Sequence, residues 1–428
     1  VRRSLAGLIV LLALPASATA GTESQLRASL DRAMNSAGSS SGALVVDLSD
    51  GRTLYSRAPD TFRIPASNEK LYTTSTALAR FGPTGRLATR VLGDGELGDD
   101  GTYTGNLYLR GGGDPTFGSR TFTRRAYGTG TTVTELAAAV AAAGVQRVTG
   151  TLYGDESLFD SLRGGPESGY AFSIYIGAPL SALAFDRGLA NQQGSAIQRR
   201  PARFAAERLR RALSVEGVSV ARGVGERATP PGASLVAEAR SPAMATLARL
   251  TNVPSDNFFA ETLLKDLGAR ARGRGTTAGG AASAMAYWRE NGVAPRIADG
   301  SGLSRRNRTT PRQIVGVLDH MDRTQELAVA FRGSLAVACR SGTLAGRMCG
   351  TPAAGRCRAK TGTLSNVSAL SGYCDVGGER VVAFSIIMNN VSVGGARSLQ
   401  DRMGAAVASY APSSVSRAGS SMTSTPRR

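Results

Sequence analysis

The sequence predicts an α/β protein in which the two ends of the chain close one domain around a separate, strand-rich insertion. Strand patterns occur near both ends with helical patterns between them, and over residues 89–239 the texture changes to short alternating strands and glycine-rich turns. Four cysteines, Cys339, Cys349, Cys357 and Cys374, gather in one C-terminal region.

Val1-Arg2-Arg3, an apolar run from Leu5 to Pro15 and Ala18-Thr19-Ala20 have the three parts of a secretory signal peptide. Residues 1–20 are expected to be removed near Ala20, leaving a secreted, periplasmic or cell-wall-associated chain. Residues 43–48 and 53–55 then read as two strands joined by a tight turn at Asp50-Gly51. A helix follows from Ile64-Pro65-Ala66 to Phe81, stopped by Gly82-Pro83, with Ser67 on its first turn. In the insertion, residues 103–109 and 148–154 resemble each other as strands, and residues 134–143 read as a helix. Helical patterns return to Leu250, over 258–267, over 277–291 and around 313–320. Strands over 358–362, 369–374 and 381–388 and a helix over 396–410 complete the closing half. The catalytic domain is thus expected over 21–88 and 240–411, with a disordered Ser/Thr/Arg-rich tail over 412–428.

In an oxidising compartment an even set of cysteines reads as disulfides. Cys357 and Cys374 flank a hairpin with residues 364–366 near its tip, which sets them opposite each other and leaves Cys339 with Cys349. The spacings lack the close pair that zinc sites use.

A formal charge of +19 suggests an anionic partner, but the arginines are spread along the chain and aromatic residues make up 6% of it, which argues against nucleic acid. Anionic cell-wall polymers suit an exported basic protein better, and a biased genome gives the same composition. His320 is the only histidine, so two-histidine metal sites are excluded and a Ser-His-Asp triad would have to use it. No metal and no cofactor is implied.

Only three of the 51 basic residues are lysine: Lys70, Lys265 and Lys360. A lysine can give up its proton to act as a base, which arginine cannot. Lys265 lies in an amphipathic helix and reads as a solvated helix lysine. Lys70 follows Ser67 by three residues, which puts both on one helix face with a base beside its nucleophile. Glu69 points elsewhere and reads as structural. Ser255-Asp256-Asn257 occupies a loop before the next helix. Lys360-Thr361-Gly362-Thr363 combines a cation, hydroxyls and a glycine on a strand, a set that binds a carboxylate and offers an N–H to an oxyanion.

Ser-x-x-Lys, Ser-x-Asn and Lys-Thr-Gly in this order resemble the penicillin-binding-protein and serine β-lactamase superfamily. The long interval between Ser67 and Ser255 narrows this to the class C low-molecular-mass penicillin-binding proteins of the D-alanyl-D-alanine carboxypeptidase/endopeptidase type, the DacB family. Gly105-Asn106-Leu107-Tyr108-Leu109-Arg110-Gly111-Gly112-Gly113-Asp114-Pro115, Ala178-Pro179-Leu180-Ser181-Ala182-Leu183, Asp299-Gly300-Ser301-Gly302-Leu303-Ser304-Arg305 and Gly342-Thr343-Leu344 support it. The resemblance implies a transpeptidase-type α/β domain, an antiparallel sheet with helices, carrying an inserted β-rich domain; a further nested part is reduced or absent here.

It also implies Ser67 as acylated nucleophile, Lys70 as its base, Ser255 as proton relay and Asn257 as holder of the substrate amide. Lys360 would set the electrostatics, Thr361 and Thr363 would bind the terminal carboxylate next to Gly362, and the N–H groups of Ser67 and Thr363 would take the oxyanion. Leu303, Arg305, Leu364 and Ser365 match positions that recognise the peptidoglycan stem side chain, with Arg305 placed to pair with a diaminopimelate carboxylate. Asp160 or a neighbour from the insertion is a further candidate for that pocket. The implied substrates are peptidoglycan stem peptides, with β-lactam antibiotics as covalent inhibitors. The alternatives are a β-lactamase or esterase on the same scaffold, and a non-catalytic envelope-binding protein.

Overall fold

The computed structural model describes residues 22–191 and 193–411, so the expected signal peptide and tail lie outside the described residues. Two strands from opposite ends of the chain lie side by side. Ser41–Asp47 pairs antiparallel with Arg380–Asn389, with Ser41 opposite Met388 and Asp47 opposite Val382. They belong to a six-stranded sheet in the order Ala336–Val337, Cys357–Leu364, Val367–Gly377, Arg380–Asn389, Ser41–Asp47, Thr53–Arg57.

Both faces of this sheet are covered, which is why its central strands read as near-continuous apolar runs. Leu44, Ala369, Tyr373, Ala383 and Ile387 face a core that includes Leu71, Phe258, Leu264 and Trp288. Val45, Leu370, Phe384, Ile386 and Met388 alternate with them and face Leu26, Leu30, Met403 and Val407. Leu26 and Leu30 belong to a helix, Glu23–Ser36, that sequence reading did not assign; Thr22 and Gln25 form a capping box at its start.

The hairpin of Cys357–Leu364 and Val367–Gly377 places Cys357 opposite Cys374 and Leu364 opposite Val367. Disulfides join Cys357 to Cys374 and Cys339 to Cys349, the pairing the hairpin favoured.

The chain enters and leaves the insertion on adjacent antiparallel strands, Ala88–Gly93 and Ser234–Arg240, with Ala88 opposite Arg240. They are part of a five-stranded sheet, and four very short strands form another. The two similar sequence segments turn out to be parallel neighbours. Leu107 lies opposite Leu152 and Tyr108 opposite Tyr153, with the tyrosine rings stacked at 5.4 Å. Parallel strands need crossovers, and the helices Val133–Ala142 and Pro201–Val215 lie along those connections. Only the first was legible; the second starts at a proline and buries Ala202, Ala205, Leu209 and Leu213 among exposed arginines.

Candidate active site

Ser67 and Lys70 sit where a short 3₁₀ turn, Ala66–Glu69, runs into the helix Lys70–Phe81. The turn is held from two sides by glycines. A side chain at Gly362 would lie 2.7 Å from the Pro65 carbonyl oxygen, and one at Gly302 would lie 1.9 Å from the Ala66 carbonyl oxygen and 2.9 Å from the Ser67 nitrogen. Gly302 also has φ +86°, a region that disfavours side chains. Gly302→Ala is therefore expected to displace Ser67 and cut the acylation rate by at least about 100-fold. Stopped-flow acylation with a fluorescent penicillin checks this, and a loss below threefold would contradict it.

Lys70 is fully buried, and its Nζ meets three oxygens: Ser67 Oγ at 3.1 Å, Asn257 Oδ1 at 2.6 Å and the Ser301 carbonyl at 2.7 Å. Burial pushes the ammonium down to about 8, against the opposing pull of Asp299, Asp256, Glu261 and Glu69. Burial holds three of these groups, Asp299, Glu261 and Glu69, back from ionising. Burial pushes Glu261 up to about 8 and Glu69 well above the ordinary carboxylate range, each reinforced by Asp299. Glu261 Oε1 accepts the N–H groups of Gly300 (3.1 Å) and Ser301 (2.9 Å), which holds the segment leading to the Ser301 carbonyl that receives Lys70. Asp299 accepts from Gly302 N at 2.9 Å and Ser304 N at 2.6 Å, closing the loop that carries Leu303 and Arg305.

Ser255 and Asn257 flank Asp256, which caps the helix Asn257–Arg272 through Phe259 N at 3.0 Å. Arg187 grips Asp256 with two hydrogen bonds at 2.5 and 3.0 Å. That arginine comes from the insertion, and no sequence signal singled it out. Ser255 has φ +65°, a conformation non-glycine residues adopt only under constraint. Lys360 supplies one constraint, donating to Ser255 Oγ at 2.8 Å and to the Thr361 carbonyl at 2.8 Å. Lys360 is fully buried, and burial together with Lys70 pushes its ammonium well below the ordinary lysine value. Asn68 Nδ2 donates to the Lys360 carbonyl at 2.9 Å, tying the two motifs together.

A cleft of about 1160 Å³ opens over Ser67, Ser255 and Asn257. The strand Cys357–Leu364 forms one wall with Thr361, Thr363, Leu364 and the following Ser365; Leu303 and Arg305 form another. Arg305 donates to Ser365 Oγ at 2.6 Å and Asn366 Oδ1 at 2.8 Å, both uncharged, so its charge is unmatched there. The Cys339–Cys349 disulfide closes the segment that brings Thr343, Gly346 and Arg347 to the cleft, and Thr361 Oγ1 donates to Thr343 Oγ1 at 2.8 Å. The insertion contributes Glu167, Ser168, Phe172, Ser173, Ile174 and Tyr175, and the Tyr175 carbonyl accepts from Asn257 Nδ2 at 2.7 Å.

Of two expectations, the first is met by the alternative it named and the second is corrected. Asp160 does not line the cleft, because its carboxylate lies 2.5 Å from Lys265 Nζ; Glu167 is the acidic residue of that segment that does. Lys265 is not solvated, since its side chain has no exposed surface. The insertion covers the face of its helix that local periodicity assigns to water. The remaining lysine, like the other two, is thus a buried one.

A serine hydroxyl beside a buried lysine of lowered pKa, under a cleft walled by a strand edge, is the arrangement that acyl transfer of the serine–lysine kind requires. Residues 25–196 and 189–410 match the D-Ala-D-Ala carboxypeptidase 3 (S13) family, and the chain belongs to that family of D-Ala-D-Ala-cleaving enzymes. It is 32% identical over 455 residues to a D-alanyl-D-alanine carboxypeptidase of Actinomadura sp. (strain R39), covering 87% of this chain and 82% of that one. It is 31% identical over 365 residues to the carboxypeptidase DacB of Mycolicibacterium smegmatis, covering 81% and 75%. In fold it matches penicillin binding protein 4 from Haemophilus influenzae with TM-score 0.71 at 20% identity, covering 88% and 98%. A penicillin-G-acylated predatory endopeptidase from Bdellovibrio bacteriovorus matches with TM-score 0.51 at 18% identity, covering 86% and 88%. The family resemblance carried by the three motifs is borne out.

Proposed function

We propose that the protein acts outside the cytoplasm as a serine DD-peptidase on peptidoglycan stem peptides, with Ser67 as the acylated nucleophile. The contact that carries this reading is Lys70 Nζ at 3.1 Å from Ser67 Oγ, fixed by two further oxygens. Ser67 Oγ attacks the carbonyl carbon of the penultimate D-alanine as its proton passes to Lys70 Nζ. The N–H groups of Ser67 and Thr363 receive the oxyanion. When the C–N bond breaks, the leaving amine takes the proton that Lys70 accepted, relayed through Ser255 Oγ, which Lys360 holds. Water then attacks the ester as Lys70 takes its proton, and Lys70 returns that proton to Ser67 Oγ as the ester C–O bond breaks and the shortened peptide leaves. Asn257 Nδ2, which donates to the Tyr175 carbonyl in the free enzyme, transfers that bond to the substrate amide. The stem side chain lies against Leu303, Leu364 and Ser365, with Arg305 meeting its carboxylate.

β-Lactams fit the same path, because their strained amide acylates Ser67 and leaves no separate amine to depart. Incubation with a stem peptide ending in D-Ala-D-Ala should release D-alanine, and benzylpenicillin should leave a long-lived adduct on the peptide containing Ser67. Products from cross-linked muropeptides, identified by mass, show whether cross-links are also cut. Rapid turnover of the adduct without D-alanine release would mark a β-lactamase instead, and an adduct on another residue would overturn the assignment.

A further inference from the structure

A substrate carboxylate seated on Thr361 and Thr363 needs a cation, because hydroxyls replace the lost water without neutralising the charge. Lys360 is poorly placed to be that cation. It is fully buried, absent from the cleft lining, and engaged with Ser255 Oγ and the Thr361 carbonyl. Three arginines line the cleft instead. Arg347 is already matched by Asp401 at 2.8 Å, and it donates to the Arg397 carbonyl at 3.2 Å. Arg305 stands over the hairpin tip at Ser365 and Asn366. Arg397, exposed near the start of the helix Val393–Ser409, donates to Thr363 Oγ1 at 3.2 Å and makes no ion pair among the described residues.

The geometry points to Arg397 as the residue that selects a leaving D-amino acid with a free carboxylate, with Arg347 holding its backbone in place. The inference rests on the DD-peptidase reading and deepens it. A guanidinium beside the Thr363 hydroxyl offers a carboxylate a charge-assisted hydrogen bond next to a neutral one. An amidated or esterified leaving group has no charge to gain from it. Selectivity for the free acid is then set by a residue outside the three motifs, on the helix that follows the last strand.

The experiment compares Arg397→Gln with the wild-type enzyme on a stem peptide ending in D-Ala-D-Ala and on the same peptide as its C-terminal amide. The variant should lose about 10- to 100-fold in kcat/KM on the acid, while the amide changes by less than about threefold, so that the preference for the acid collapses. Arg397→Lys should recover part of it. Acylation by benzylpenicillin, which carries a carboxylate, should slow in parallel and is measured by mass without reference to D-alanine release. Equal losses on acid and amide, with slowed acylation, would make Arg397 a mere support for Thr363 and overturn the inference. So would no change in either. Acylation without D-alanine release would instead overturn the DD-peptidase reading, and whether Arg397→Gln slows benzylpenicillin more than its methyl ester then decides the role of Arg397.

Discussion

Lys70→Arg is expected to lower the rate of Ser67 acylation by about 10³- to 10⁴-fold, as much as removal of the side chain by Lys70→Ala, while the protein stays folded. Donors and lone pairs at the Lys70 nitrogen decide the outcome. A neutral amine has two hydrogens and one lone pair. Asn257 Oδ1 at 2.6 Å and the Ser301 carbonyl at 2.7 Å can only accept, so they take both hydrogens and leave the lone pair directed at Ser67 Oγ, 3.1 Å away. An arginine there would keep its proton at any working pH and could only donate to the serine.

The same geometry sets the pH dependence. Lys70 is pushed down to about 8, so the base form is scarce below that pH and dominant above it. The second-order acylation rate should rise tenfold per pH unit below about 7 and level off above about 9, with the midpoint near 8. A flat profile from pH 6 to 9, or a Lys70→Arg variant within tenfold of wild type, would remove Lys70 from the role of base.

The core of the candidate site was legible because its chemistry is written in runs of three or four residues. Ser67 with Lys70, Ser255 with Asn257, and Lys360 with Thr361 and Thr363 each need neighbours on one local element, so local spacing preserves them. The roof of the cleft was not legible. Glu167, Phe172, Ile174 and Tyr175 belong to a stretch with one short 3₁₀ turn, Pro166–Ser168, and no helical or strand periodicity that places it over Asn257. Arg187 escaped for the same reason, since its partner Asp256 lies 69 residues away in sequence. The helix Glu23–Ser36 was legible in principle: its capping box and the spacing of Leu26, Leu30, Ala33 and Met34 are local signals. The burial of Lys265 was not, because helical periodicity marks a polar face without saying whether a distant segment covers it.

That covering contact should be worth about 3 kcal/mol to the folded state, since breaking a buried ion pair leaves a charge without its partner. Lys265 Nζ meets Asp160 Oδ1 at 2.5 Å and the Leu162 carbonyl at 3.1 Å, and its ammonium lies 5.9 Å from the centre of the Phe159 ring. Lys265→Met keeps the volume but strands the carboxylate, whose side chain is only 12% exposed. Lys265→Met/Asp160→Leu removes both charges and should recover most of the loss, because well-packed apolar pairs replace buried ion pairs at little cost. The effect should reach the cleft as well. Residues 159–163 lead directly into the turn at Gly164, whose N–H donates to the Tyr170 carbonyl and so anchors the roof segment. Loosening it should raise KM for a long stem peptide more than it slows acylation by a small β-lactam, which needs Ser67 and the strand wall but little of the roof. Urea unfolding of the single and double variants tests the pairing, and the ratio of the two activities tests the coupling. If Lys265→Met is less than 0.5 kcal/mol destabilised, and both activities move together, the lysine is a buried spectator.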